Sequence, residues 1–268
     1  MPFRNLTLDE LQIDDEKSFR HIALFDALKQ VLQTSGYRFR VAPPDSPSAN
    51  WDRALFLNLT FWDVSEAGDV LVDDHIAADV VAHVAWHALA KRAVDAASAG
   101  SEASGPSADG LLLGEAIASA FDLYLVGRLL GHAPDAEFLQ TQVPAMADAA
   151  EAAGLSEEGF EELLQAISSD PDRAFEDLRE LLFDAATALA QSRGIDEAAE
   201  ILERFEGHRF APLLHHYELS TWILSVRAYA PGRLAPDPAV RAIDAALRSA
   251  DVALDWLESQ WVTPALGA

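Results

Sequence analysis

Residues 74–92 read DHIAADVVAHVAWHALAKR. Between its charged ends, this segment is apolar except for polar side chains that recur every four residues: His75, Asp79, His83 and His87. A helix that is apolar nearly all round is normally buried. Imidazoles and carboxylates in such a setting need a hydrogen-bonding partner or a metal ion. The segment therefore predicts a buried helix whose polar stripe has a specific role.

A second segment of the same character covers residues 111–130 and reads LLLGEAIASAFDLYLVGRLL, with Gly131 after it. On a helical wheel at about 100° per residue, Glu115, Ser119 and Asp122 fall within about 60° of one another. These three side chains form a polar stripe on an otherwise apolar helix. The sequence therefore predicts two buried helices, each with one polar stripe.

His83 and His87 are one helical turn apart, so their side chains lie about 6 Å from each other on one face. Two imidazoles in that arrangement can bind one cation. An open zinc site takes about three protein ligands, and a carboxylate such as Glu115 could supply the third. We therefore expect a metal site, with zinc as the candidate ion, formed by His83, His87 and Glu115.

These residues resemble the thermolysin-like, or gluzincin, zinc metallopeptidases. The stretches HVAWHALAKR and LLGEAIASAFD are similar to the family's H-E-x-x-H and to its following helix with N-E-A-I-S-D-x-F. The resemblance covers about residues 73–128. It places Ser119 where the family has the Asp that orients the first His, and Asp122, one turn further, could take that role. The zinc ligands that the resemblance implies are His83, His87 and Glu115.

The chain departs from the family at Val84, which stands where those peptidases have the catalytic Glu. That Glu polarises the zinc-bound water and shuttles its proton. The resemblance therefore implies a degenerate member that is not an active protease. Asp79 and Asp122 are the candidates for a substitute base. Asp79, one turn before His83, is also expected to be a supporting partner of the site.

Other histidines are less suited to this site. His75 is about 120° around the wheel from His87, too far to share one ion. His215 and His216 are adjacent in the sequence, so their side chains point about 100° apart. At most one of them can face a site together with Glu218, and the role of these three residues stays open.

The expected fold is α+β and predominantly helical. Residues 1–133 are predicted to form a zincin-like part with a small sheet and two buried helices, the first capped by Asp73 or Asp74. Residues 134–268 are predicted to form an all-helical part packed on it. The remaining predicted elements are a helix over 18–36, strands at 37–41 and 54–64, a flexible loop near 96–110, and a closing helix over 236–261.

Composition limits the class of partner. The 268 residues carry a formal net charge of −25, so binding to nucleic acid or to an anionic membrane through a basic surface is not expected. A protein partner with a basic face suits this charge. The absence of cysteine excludes disulfides and thiolate metal sites. The N-terminus has no signal-like pattern and lysine is rare, which favours a cytoplasmic bacterial protein.

Three hypotheses of function follow from the sequence. The first is a zincin-like protein with a degenerate site, metal-binding or formerly so, that acts as a non-proteolytic interaction or regulatory protein. The second is an active metalloenzyme with a non-standard base, either a hydrolase or a dinuclear iron or manganese carboxylate enzyme. The third is an acidic helical adaptor without metal. Metal content and the geometry of the histidine stripe distinguish them.

Overall fold

The structure is a computed structural model, and it describes residues 4–41, 70–71, 73–97, 107–230 and 232–267. The described chain is predominantly helical, with a small amount of strand in two sheets. The strands are β1 (Arg4–Thr7), β2 (Gln12–Asp14), β3 (Arg38–Val41), β4 (Val70–Leu71) and β5 (His75–Ala77). The helical character predicted from the sequence is confirmed.

The helices of the first half are α1 (Glu16–Phe19), α2 (Ala23–Ser35), α3 (Ala78–Ala97) and α4 (Ala108–Leu130). Those of the second half are α5 (Glu137–Ala152), α6 (Glu157–Ser169), α7 (Pro171–Gln191), α8 (Ile195–Glu203), α9 (Leu219–Tyr229), α10 (Pro238–Ser249), α11 (Ala253–Leu257) and α12 (Thr263–Leu266). A 3-10 segment, Ala211–Tyr217, precedes α9, and a π-helical turn, Glu258–Val262, joins α11 to α12.

Two small sheets lie beside the N-terminal helices. In the first sheet β3 is central, antiparallel to β1 and parallel to β4. In the second, β2 and β5 pair in parallel, with Gln12 opposite His75. Strand β5 leads directly into α3, so its register with β2 fixes where that helix begins.

Helix α4 is the centre of the core and packs along both α3 and α7. Its hydroxyl cap is Ser107, which accepts a hydrogen bond from the Gly110 N–H. By length and composition α4 could span a membrane, but 78% of its most apolar window is buried inside the protein. The described residues of both halves contribute to one hydrophobic core cluster. The apolar surface of α4 is therefore covered by neighbouring helices.

A buried ion-pair network attaches α10 to α7. Arg179 of α7 is fully buried, and its Nη1 donates to Asp244 Oδ1 of α10 at 2.7 Å. The other oxygen of Asp244 accepts from Arg248 Nε at 2.9 Å. Burial of a guanidinium is tolerated when a carboxylate compensates its charge. This long-range pairing has no local signature in the sequence.

The start of α3 differs from the sequence expectation. The helix begins at Ala78 and is not capped by Asp73 or Asp74, while His75 lies in β5. The backbone of that strand bonds to β2, and this pairing replaces the expected first helical turn. On α3 the polar stripe is therefore shorter than expected and consists of Asp79, His83 and His87.

The closing helix expected over residues 236–261 is interrupted in the structure. Helix α10 ends at Ser249 and α11 begins at Ala253. The Ala253 N–H donates to Glu176 Oε1 of α7 at 2.7 Å, which caps the new helix through a tertiary contact. The strand predicted at 54–64 lies outside the described residues, as do residues 98–106 of the predicted loop.

Gly127 of α4 lies close against Ile167 and Pro171 of the second half, and we predict that Gly127→Ala is destabilising. A Cβ at this position would lie 2.7 Å from the Ile167 backbone oxygen and 3.1 Å from Pro171. We expect a loss of about 1–3 kcal/mol in the free energy of unfolding, measured by urea denaturation. Gly131→Ala is the control, since a Cβ there meets nothing within 4 Å. Equal stability of the two variants would contradict the prediction.

Candidate metal centre

The polar stripes of α3 and α4 face each other across an otherwise apolar interface. His83 contacts Asp122, whereas His87, one turn later, contacts Glu115. Because the residue number rises along α3 as it falls along α4, the two helices run antiparallel. This antiparallel packing brings the polar side chains of the two predicted stripes together.

Asp122 binds the first histidine directly. Its Oδ2 lies 3.0 Å from His83 Nδ1, and both side chains are partly buried. A carboxylate on one ring nitrogen sets the tautomer and the orientation of the imidazole. This arrangement leaves Nε2 as the nitrogen of His83 that could bind a metal ion. Ser119, the other predicted partner, is buried one turn earlier on α4.

His83, His87 and Glu115 form one group that could hold a metal ion. One ligand atom from each residue lies within 4.8 Å of the other two, and His87 Nε2 is 3.6 Å from Glu115 Oε2. Ligands around a tetrahedral zinc ion stand about 3.3 Å apart. The three donor atoms are thus close enough together that the group could hold a divalent ion. Two imidazoles and a carboxylate are also a donor set that zinc accepts.

The electrostatics of the site are dominated by buried carboxylates. The pKa of Glu115 is raised to about 7, mainly by burial; the nearby His83 lowers it and the negative charge of Asp122 raises it. Burial likewise raises the pKa of Asp79 to about 6, again with a contribution from Asp122. Carboxylates that disfavour their charged form are typical of sites that take up a proton or a cation.

A cavity of about 320 Å³ adjoins the centre on the side of Asp122. Helix α5 contributes Gln142 to its wall, and the region around the 3-10 segment contributes His216, Tyr217 and Trp222. Burial lowers the pKa of His216 and raises that of Tyr217. Both side chains are therefore uncharged at neutral pH. The cavity has the size of a small-molecule pocket.

The structure separates the remaining candidate residues. His75 is exposed and pairs with Asp14 of β2 at 3.0 Å, so it is not part of the group of candidate metal ligands. Of the adjacent pair, His216 lines the cavity beside Asp122, whereas His215 is exposed. Tyr217 was not among the residues singled out in the sequence. The signal that points to it is its position next to His216.

Val84 occupies the catalytic position of the resembling family, and its side chain is buried. Only 4% of Val84 is exposed, and it belongs to the hydrophobic core cluster. Its side chain is thus placed for packing. Position 84 therefore differs from the catalytic position of that family in two ways: the residue is Val instead of Glu, and its side chain is buried in the core.

Comparison with known proteins gives no relative, since no family model, no curated protein and no solved structure matches this chain. The likeness to gluzincins consequently stays at the level of two local motifs. The functional assignment depends on the chemistry of the site itself.

We predict that Glu115→Gln stabilises the metal-free protein at alkaline pH. The unfolded carboxyl has a pKa near 4.5, while that of folded Glu115 is about 7, so the folded state retains a proton over this interval. Stability from this residue is complete below about pH 4.5 and is lost as pH rises through 7. With EDTA present, we expect the variant to gain about 2–3 kcal/mol at about pH 8 and nothing near pH 4.5, measured by urea unfolding. Glu162→Gln, on an exposed surface, should show no such pH dependence.

We also predict that Val84→Glu does not create a peptidase, although it restores the H-E-x-x-H pattern. An ionised Glu at this buried position should lower the free energy of unfolding by about 3 kcal/mol. Alternatively, the new carboxyl group should stay protonated and so could not act as a base. Thermal unfolding measures the loss of stability, and a casein-cleavage assay with added zinc measures peptidase activity. Val80→Glu on the same helix is the matched control, because Val80 is 36% exposed. Zinc-dependent cleavage by the Val84→Glu protein would contradict the prediction.

Proposed function

We propose that the protein binds a divalent metal ion, with zinc as the first candidate, at His83, His87 and Glu115. In this proposal it is a degenerate zincin-like protein that acts in interaction or regulation rather than in proteolysis. The observation that carries the proposal is the convergence of three donor atoms within 4.8 Å. The burial of Val84 supports the absence of peptidase chemistry.

The charges at the site favour a cation. Burial is the main cause of the raised pKa values of Asp79 and Glu115, and the negative charge of Asp122 contributes to both, so ionising these two carboxyl groups is costly. A divalent cation would offset this cost. His83 and His87 would bind it as neutral imidazoles, with Asp122 holding the His83 ring in place.

Asp79 favours a second candidate function, a metalloenzyme with a non-standard base. Its pKa of about 6 is close to the range in which a carboxyl group accepts protons at neutral pH. The cavity beside Asp122 could admit a small substrate. A dinuclear iron or manganese centre has less support, because the described part of the chain contains one group of three or more candidate ligands.

Metal analysis of protein prepared without chelators tests the proposal. We expect about one zinc per chain in the wild type and less than about a tenth of that in His83→Ala and in Glu115→Gln, because three protein ligands hold the ion. His75→Ala is the matched control, since His75 belongs to the same sequence stripe but pairs with Asp14 on the surface. Its metal content should equal that of the wild type.

Other outcomes of the same measurement point elsewhere. Negligible zinc, iron and manganese in the wild type, even after incubation with each ion, would favour the acidic adaptor without metal. Two metal ions per chain would favour the dinuclear enzyme. Zinc that disappears equally from His75→Ala and His83→Ala would indicate surface binding and contradict the proposed site.

A further inference from the structure

A groove of about 1,370 Å³ runs between α8 and α9, on the other side of α9 from the cavity near Asp122. Glu218 and Thr221 border both spaces, so the first turn of α9 separates them. None of the three candidate metal ligands lines the groove. It is a separate surface feature that the metal site does not explain.

The groove contains the most exposed large apolar side chains of the described residues. Ile195 is 85% exposed and Leu224 is 66% exposed, on opposite walls. The next side chain of this kind, Val80, is 36% exposed and lies on a different helix. Two large apolar residues left open to water in one concave surface indicate a binding site for an apolar partner.

Helix α8 has an apolar stripe along the groove, two residues of which, Ala198 and Leu202, also pack against the core. The stripe has the i, i+3, i+4, i+7 spacing of one helical face, and Ile201, on another face, is buried in the core. The stripe residues, all of which line the groove, are Ile195, Ala198, Ala199 and Leu202. This pattern is suited to contact with another helix laid along the groove.

The charges around the groove determine the kind of partner. The groove is lined by three carboxylates, Glu203, Glu206 and Glu218, and by two guanidinium groups, Arg193 and Arg227, so its lining is acidic overall. Its acidic edge consists of Glu203 at the end of α8 and Glu206 just beyond it. A second copy of this chain would bring a net charge of −25 toward the same surface, so repulsion opposes self-association there. A partner with basic residues beside an apolar stripe has both the shape and the charge that the groove accepts.

We propose that this groove binds an amphipathic helix with a basic flank, supplied by another protein. The apolar face of that helix covers Ile195 and Leu224, and its Lys or Arg side chains lie along the acidic edge. The inference deepens the interaction role proposed above by naming the partner's chemistry. It requires no metal at His83, so the two proposals can fail independently.

The test uses a fluorescein-labelled peptide of about 18 residues, long enough to form a helix, with Leu at i, i+3, i+4 and i+7 and Lys elsewhere. Its affinity for the full chain is measured by fluorescence anisotropy. We expect Ile195→Ser combined with Leu224→Ser to weaken binding at least about tenfold, because the apolar contact is lost. Val80→Ser is the matched control for an exposed apolar side chain and should leave the affinity unchanged.

A second experiment tests the role of the acidic edge by comparing two double variants that have the same net charge. Glu203→Gln with Glu206→Gln should weaken binding of the Leu/Lys peptide about threefold or more. Glu161→Gln with Glu162→Gln, on the exposed face of α6, should weaken it less. A peptide with the same composition in a scrambled order, which has no apolar stripe, should bind the wild type at least about tenfold more weakly.

Two outcomes overturn the inference. Equal affinities of the wild type and the Ile195→Ser, Leu224→Ser protein, including no binding to either, would show that the groove does not recognise such a helix. A wild-type dimer in sedimentation equilibrium that the same double variant converts to monomer would make a second copy the occupant. Zinc content, measured on the same samples, reports separately on the metal site.

Discussion

The structure depends on how α3 and α4 bury polar side chains between two apolar helices. Helix α4 is the centre of the core, and its polar side chains can be accommodated there only if they meet complementary groups. His83 meets Asp122 and His87 meets Glu115. This complementarity fixes the antiparallel register of the two helices. It also creates the only feature of the described interior in which two imidazoles and a carboxylate converge.

Two carboxyl groups of this arrangement are difficult to ionise. Burial raises the pKa of both Glu115 and Asp79, and Asp122 adds like charge to each. An apolar or amide side chain in place of Glu115 would be less costly to the fold. Groups that reduce stability in this way are characteristic of functional sites, where strain or charge is retained for binding. A cation held at the proposed site would offset the cost of ionising these carboxyl groups.

The surroundings of the site are the basis for proposing binding rather than proteolysis. The position that carries the base in the resembling peptidases packs into the core as Val84. The uncharged His216 and Tyr217 line a cavity of limited size. On the other side of α9, a larger groove exposes Ile195 and Leu224 beside an acidic edge. A core group that could hold a metal ion and the proposed docking groove together underlie the role in interaction or regulation proposed above.

The sequence alone determined the two apolar helices, the acidic helical second half and the candidate ligands, because periodicity and local spacing encode these features. Contacts between segments that are distant in the sequence could not be predicted from it. The pairing of β5 with β2 removed His75 from the helix, and Glu176 divided the closing helix at Ala253. Tertiary packing likewise selected Asp122 as the partner of His83 and buried Val84. These choices depend on contacts between residues far apart in the chain, which local patterns do not record.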